Sequence, residues 1–149
     1  MAPKGRPDAQ FDRYTRQSRD MLRFAHVVAA EAKIDVVSVE HLLLGLIWAA
    51  PQGIGRFLPP ASVESLTAQL SRDVPRIAPP GGGAKEVAFS PDVVRILERA
   101  AEDAGESEVF PEHMMLAIMR EYSGRATELL RSHGVDVAEL QRFVHPTRA

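Results

Sequence analysis

Residues 37–46 read Val37-Ser38-Val39-Glu40-His41-Leu42-Leu43-Leu44-Gly45-Leu46. Residues 109–118 repeat this pattern as Val109-Phe110-Pro111-Glu112-His113-Met114-Met115-Leu116-Ala117-Ile118. In both stretches a Glu-His pair opens a run of apolar residues. Two copies of such a pattern, separated by the length of a small helical motif, indicate two copies of one supersecondary unit.

Other residues extend the repeat in both directions. Upstream, Tyr14-Thr15 matches Phe89-Ser90, and downstream Gly53 matches Gly124. Between the copies lies a segment rich in proline and glycine, which cannot hold a helix or a strand interior. We therefore predict a disordered tail over 1–10 and one domain over 11–145. That domain divides into repeat one (11–77), a linker (78–86) and repeat two (87–145).

The periodicity predicts helices in both repeats. After Thr15 and after Ser90-Pro91, apolar residues recur at steps of three and four, and both hydroxyls are suitable N-caps. The helices that follow Ser38 and begin at Pro111 are apolar on nearly all sides, so we expect them at the centre of the domain.

Four further helices complete the prediction. Short helices are expected near 53–58 and 124–133, and amphipathic helices near 62–74 and 136–144. No window alternates between polar and apolar residues, so we expect no sheet. The predicted fold is all-α, with about eight helices in two four-helix units related by a pseudo-twofold axis.

Composition excludes several classes of protein. The chain has 149 residues, 45% of them hydrophobic and 26% charged, with a formal net charge of −2 and no cysteine. These values suit one globular domain and exclude a strongly basic nucleic-acid binder, a disulfide scaffold and a cysteine nucleophile. No apolar run approaches the roughly 18 residues of a membrane span. The polar start of the chain lacks the apolar region of a signal peptide, so we expect a cytoplasmic protein.

The repeated stretches resemble the N-terminal domain of Clp ATPases of the ClpA and ClpC type. The resemblance covers residues 11–145 and is carried by Phe11, Tyr14-Thr15, residues 36–46, Phe89-Ser90-Pro91 and residues 110–113. It implies a protein-binding domain that docks substrates or adaptors for Clp proteolysis. The glycines at 81–83 do not form a Walker A motif, since the spacing is wrong and no hydroxyl residue follows Lys85. We therefore expect no ATPase activity from this sequence, which is either a free-standing protein of this type or a domain excised from a longer one. A full-length chain would favour an accessory or decoy role.

The two glutamates of the repeated stretches have two interpretations. Each lies in the first turn of a helix, where a carboxylate complements the helix dipole. The resemblance instead implies that Glu40 and Glu112 contact the guanidinium of phosphorylated arginine, with Thr15 beside Glu40 and Ser90 beside Glu112. A helix N-terminus binds phosphate and a carboxylate binds guanidinium, so such a site would recognise both groups. Ser90 departs from the family's threonine, which favours the first pair.

The remaining candidates have structural explanations. His41 and His113 stand at the third helical position, where a side chain commonly reaches back to the cap, and no metal-binding spacing is present. We predict no metal, no cofactor and no enzymatic activity, because no nucleophile motif accompanies the serines and histidines. Met114, Met115 and Met119 form either core or an adaptable peptide groove.

The first helix supports an alternative function. Its arginines at 13, 16, 19 and 23 could bind nucleic acid or a transcription factor, although the interleaved Asp12 and Asp20 are more typical of a solvated face. The expected partners are substrate proteins, adaptor proteins or a Clp ATPase, with neither a membrane nor nucleic acid favoured. We expect a monomer.

Overall fold

The structure is a computed structural model that describes residues 12–77 and 88–144. The tail predicted over 1–10 and the linker predicted over 78–86 lie outside these residues. The boundaries of the two repeats therefore stay a prediction.

Eight helices form in the described residues, as predicted. The first repeat contains α1 (Arg16–Glu31), α2 (Val39–Ala49), α3 (Pro51–Gly55) and α4 (Pro60–Ile77). The second repeat contains α5 (Pro91–Ala104), α6 (Pro111–Glu121), α7 (Arg125–Ser132) and α8 (Val137–Val144). The predicted short and amphipathic helices are present, with shifts of a few residues at their ends.

The sequence sets the helix ends as expected. The Thr15 hydroxyl accepts a hydrogen bond from the Ser18 backbone N–H at 3.1 Å, which satisfies one of the unpaired donors in the first turn of α1. The Ser90 hydroxyl accepts from the Val93 N–H in the same way, also at 3.1 Å. Helix α5 ends at Gly105, whose φ of 62° is a conformation that glycine adopts without steric cost.

The expectation of no sheet was wrong. Strand β1 (Val36–Val37) pairs in parallel with β2 (Ala88–Phe89), and Tyr14 forms an isolated parallel bridge with Val109. Each pairing is only one or two residues long, which is too short to produce the polar-apolar alternation by which strands are identified in a sequence. The predominance of helix in the fold is unaffected.

These short pairings join one repeat to the other. The strand before α2 lies beside the strand before α5, and the residue before the Thr15 cap lies beside the residue that precedes Phe110. The segment that leads into the first helix of each repeat thus pairs with the segment that leads into the second helix of the other. This exchange is what a pseudo-twofold arrangement of two repeats requires.

The core lies between the repeats and is centred on α2 and α6. Helix α2 packs against α1, α6 packs against α5, and α2 and α6 also contact each other. Every residue from Pro111 to Met119 is buried, as expected for a helix that is apolar on nearly all sides. The central large side chains are Met21, Leu42, Leu43, Leu46, Ile96, Met114, Met115 and Leu116.

Gly45 permits an unusually close approach of α1 to α2. A Cβ atom at this position would overlap the backbone carbonyl of Met21. The matching position of the second repeat is Ala117, which is fully buried. The second repeat therefore accommodates a methyl group at a position where the first repeat has no room for one, although their sequences follow one pattern.

We predict that Gly45→Ala lowers the free energy of unfolding by about 1–3 kcal/mol, because a backbone atom must move to admit the methyl group. Urea unfolding followed by circular dichroism measures the effect. Gly55→Ala is the matched control, since a Cβ there meets nothing within 4 Å. Equal stability of the two variants would show that α1 and α2 separate without cost.

Candidate functional site

The two hydroxyl caps lie beside the Glu-His segment of the opposite repeat. The Thr15 N–H donates to the Val109 carbonyl at 3.1 Å, and the Ser18 hydroxyl donates to the same carbonyl at 2.8 Å. The Ser90 N–H donates to the Val37 carbonyl at 3.0 Å. Thr15 therefore lies next to the segment that leads to Glu112.

The expected pairing of these residues was consequently wrong. Sequence order placed Thr15 with Glu40 and Ser90 with Glu112, on the assumption that each repeat builds its own site. The parallel pairings across the repeats instead bring Thr15 toward Glu112, and Ser90 toward Glu40. All four predicted residues thus lie at junctions between repeats, in exchanged pairs.

Glu40 is fully buried and links the repeats. Its Oε2 accepts hydrogen bonds from the Tyr122 hydroxyl at 2.7 Å and from the Ala126 N–H at 3.0 Å. Ala126 is in the first turn of α7, so the carboxylate also complements the positive end of that helix. Among the described residues, Oε1 has no hydrogen-bond partner.

Tyr122 closes the position next to Glu40. Its burial, and then its hydrogen bond to the Glu40 carboxylate, raise the pKa of this tyrosine above its usual range. The hydroxyl therefore remains protonated, and available as a donor, throughout the physiological pH range. Glu40 is sealed by a neighbour that does not titrate under these conditions.

Glu112 occupies the corresponding position in the second repeat but lies in an open pocket. Its side chain is 9% exposed, and its Oε2 is 3.7 Å from the Nε of Arg56. The carboxylate lies against α3, where a Cβ on Gly53 would be 2.9 Å from Oε2. Gly53 therefore admits the carboxylate to a position that a larger residue would restrict.

The pocket at Glu112 has a volume of about 370 Å³. It contains a buried carboxylate, an exposed cation and aromatic walls from the second repeat. Its lining residues are Gln17, Gln52, Gly53, Arg56, Ser107, Phe110, Glu112, His113, Phe143 and Val144. Gln17, in the first turn of α1, places the helix start capped by Thr15 at the edge of this pocket.

Aromatic side chains shape the outer part of the pocket. Phe110 is 44% exposed and Phe143 is 41% exposed. The Arg56 guanidinium carbon lies 4.8 Å from the centre of the Phe143 ring, and Phe57 packs edge-on against the same ring. No feature of the sequence alone identified Phe143 or Arg56, because both come from helix ends that only the fold brings to Glu112.

The histidines reach back to their helix caps, as predicted. The Ser38 N–H donates to Nδ1 of His41 at 3.0 Å, and the Phe110 N–H donates to Nδ1 of His113 at 2.9 Å. His41 also closes a reciprocal capping box, because its own N–H donates to the Ser38 hydroxyl. Since Nδ1 accepts, the proton of neutral His41 is on Nε2.

The methionine stripe belongs to the core. Met114, Met115 and Met119 are all buried, at 0%, 1% and 4% exposure. Trp48, in contrast, is 64% exposed and stacks on Phe24 with ring centres 4.3 Å apart. Trp48 therefore lies on the outer surface of α1 and α2.

The arginines of the first helix are largely paired. Arg16 and Arg23 both form ion pairs with Asp20, at 3.9 Å and 3.0 Å. Arg13, which precedes α1, donates hydrogen bonds to the backbone carbonyls of Gly105 and Ser107. This is the arrangement of a solvated helix face.

No group of three or more histidine, cysteine, aspartate or glutamate side chains within 12–77 and 88–144 is placed to hold a metal ion. Over the same residues, no helix combines the length and the apolar character that crossing a bilayer requires.

Fold and site together define a helical double-repeat domain with a pocket between its repeats. The sequence profile of the Clp repeat (R) N-terminal domain matches residues 13–133. The chain therefore belongs to this family, as the resemblance implied.

Curated relatives include Clp proteins of chloroplasts. The chain is 29% identical over 143 residues to the ATP-dependent Clp protease ATP-binding subunit ClpA homolog CD4B of Solanum lycopersicum, covering 93% of this chain. It is 29% identical over the same length to the chaperone protein ClpC of Pisum sativum. The chain spans about 15% of the length of each of these relatives.

Solved structures share the fold. The N-terminal domain of ClpD from Arabidopsis thaliana superposes with a TM-score of 0.66 at 23% identity, covering 91% of this chain and 97% of that one. The N-domain of ClpV from Vibrio cholerae gives a TM-score of 0.69 at 19% identity, covering 93% and 86%. These likenesses confirm the all-α fold.

We predict that the stability of the domain falls as the pH drops below about 6.5, the ordinary pKa of histidine. Burial lowers the pKa of His41, with Glu40 opposing the shift, so folding favours its neutral form. That contribution is complete above the unfolded pKa and is lost as the pH falls toward the folded pKa. His41→Gln keeps a side-chain acceptor at the cap but does not titrate. Urea unfolding between about pH 7.5 and pH 5 should show a weaker pH dependence in this variant, with His26 contributing equally to both proteins.

We predict that Glu40→Gln lowers the free energy of unfolding by about 1–3 kcal/mol, because a buried acceptor of two hydrogen bonds is weakened. Chemical denaturation measures the loss. Glu102→Gln makes the same change on an exposed residue of α5 and should be close to neutral. An unchanged stability for Glu40→Gln would contradict a linking role for this carboxylate.

Proposed function

We propose that this domain is a protein-binding module that docks substrate or adaptor proteins, including arginine-phosphorylated proteins, for a Clp protease. The pocket at Glu112 carries the proposal, because it combines a buried carboxylate with exposed aromatic walls. Concave sites of this composition bind side chains of a partner. Acting as an accessory or decoy for a Clp ATPase is one form of this role.

The chemistry of the pocket suits an arginine side chain. A carboxylate accepts the paired N–H groups of a guanidinium. The rings of Phe110 and Phe143 line the same pocket, and Phe143 already contacts one guanidinium, that of Arg56. The first turn of α1, capped by Thr15, borders the pocket through Gln17 and would present backbone N–H groups to a phosphate. A phosphorylated arginine carries both groups.

We assign the ligand to the Glu112 pocket in preference to the Glu40 position. Glu40 is fully buried, and Tyr122 and Ala126 already donate to its Oε2. A ligand that approached from Ser90 would have to displace Tyr122. Glu112 is reached without removing a hydrogen-bonded tyrosine.

The names of the relatives agree with this proposal. The tomato relative is named as an ATP-binding subunit of a Clp protease, and the pea relative as a chaperone. For this chain we propose the binding step of such a system. The alternative of nucleic-acid binding depends on the arginines of α1, and Asp20 pairs with two of them.

We predict that the domain binds a peptide that contains phosphoarginine, and that Glu112→Gln weakens this binding by about tenfold or more, because a charge-assisted pair is lost. Isothermal titration calorimetry measures the dissociation constant, and circular dichroism verifies the fold of each variant. Glu102→Gln is the control and should bind as the unmodified domain does.

The proposal has a clear negative outcome. A folded domain that binds neither this peptide nor an unfolded protein nor a Clp adaptor would contradict it. Binding to duplex DNA or RNA that weakens steeply with salt would favour the nucleic-acid alternative instead.

A further inference from the structure

Arg56 lines the pocket beside Glu112. It follows α3, and its guanidinium lies between the Glu112 carboxylate, at 3.7 Å, and the Phe143 ring, at 4.8 Å. Its side chain is 54% exposed, whereas that of Glu112 is 9% exposed. The cation is therefore free to turn outward, and the carboxylate is fixed.

The contact between Arg56 and Glu112 is an ion pair without a hydrogen bond. Its distance exceeds the range of about 2.7–3.2 Å in which N–H···O hydrogen bonds form. Ion pairs with an exposed member contribute little to stability. A stronger partner for either group would separate them at small cost.

The balance of charge in the pocket determines which ligand can separate Arg56 from Glu112. The pocket and the adjoining cavity contain the cations Arg56 and Arg142 and the anions Glu112 and Glu139. An unmodified arginine at Glu112 would add a third guanidinium and compete with Arg56 for the carboxylate of their ion pair. A phosphoarginine brings a phosphate, which carries up to about two negative charges near neutral pH, to the same place.

We infer that Arg56 is a specificity-determining residue: it competes with unmodified arginine for Glu112 and turns to the phosphate when the arginine is phosphorylated. The inference rests on the proposed function. It assigns the discrimination between modified and unmodified arginine to one side chain at the end of α3. Arg56 is suited to this because a guanidinium binds carboxylate and phosphate with the same fork of donors.

The test compares two peptides of identical sequence, one with arginine and one with phosphoarginine. Isothermal titration calorimetry gives the ratio of their dissociation constants for the wild type, Arg56→Gln, Arg56→Lys and Arg120→Gln. Arg120 is exposed in the last turn of α6, at the opposite end from Glu112, and serves as the matched control for the loss of one charge.

We expect the wild type and Arg120→Gln to prefer the phosphorylated peptide. In Arg56→Gln this preference should fall by about tenfold or more, through tighter binding of the unmodified peptide and weaker binding of the phosphorylated one. Arg56→Lys keeps the charge and should retain part of the preference. Thermal unfolding verifies that each variant is folded.

Two results would overturn the inference, and they differ from each other. If the wild type prefers phosphoarginine and Arg56→Gln leaves the ratio unchanged, Arg56 has no role in specificity and the proposed function stands. If the wild type binds neither peptide, the proposed arginine site at Glu112 fails, and the inference fails with it.

Discussion

The contacts that exchange between the repeats are the constraint on which the rest of this structure depends. Short parallel pairings join Val36–Val37 to Ala88–Phe89 and Tyr14 to Val109. Across the same junction, Glu40 accepts hydrogen bonds from Tyr122 and Ala126. Backbone pairing thus fixes where the second helix of each repeat begins, and a buried carboxylate ties the first repeat to a helix of the second. Both positions that resemble ligand sites arise from this exchange.

Equivalent glutamates, Glu40 and Glu112, have different roles at the two junctions. At one, Tyr122 covers Glu40, and the carboxylate becomes an internal cap for α7. At the other, an exposed arginine stands near Glu112, and a cavity remains open to solvent. A duplicated motif therefore supplies a structural link on one side and a candidate binding pocket on the other. The difference comes from the surrounding residues, because the Glu-His pair is identical in both.

The helices could be predicted from the sequence because capping residues and apolar periodicity depend only on neighbouring positions. The Thr15 and Ser90 caps, the back-bonding histidines and the apolar helix at 111–119 each depend on residues a few positions apart. The pairing of the hydroxyl residues with the glutamates could not be predicted in this way. It depends on strands of only two residues and on contacts between segments far apart in the sequence. The same limit applies to Arg56 and Phe143, which reach Glu112 only through the packing of α3 and α8. Sequence order places each candidate hydroxyl with the glutamate of its own repeat, whereas the backbone pairings run from one repeat to the other.

The exchange also bears on how such a domain arises. A single repeat on a separate chain would lack the backbone segments that pair with its own and the side chain or N–H group that contacts its glutamate. It would also leave exposed the apolar surface that packs against the other repeat. Two such chains could satisfy all of these groups only by associating about a twofold axis, with the same surface buried on each. The present chain is equivalent to that homodimer with its subunits fused. In a fused chain the two junctions need not be identical in sequence. One junction can therefore be covered by Tyr122 while the other keeps a pocket at Glu112.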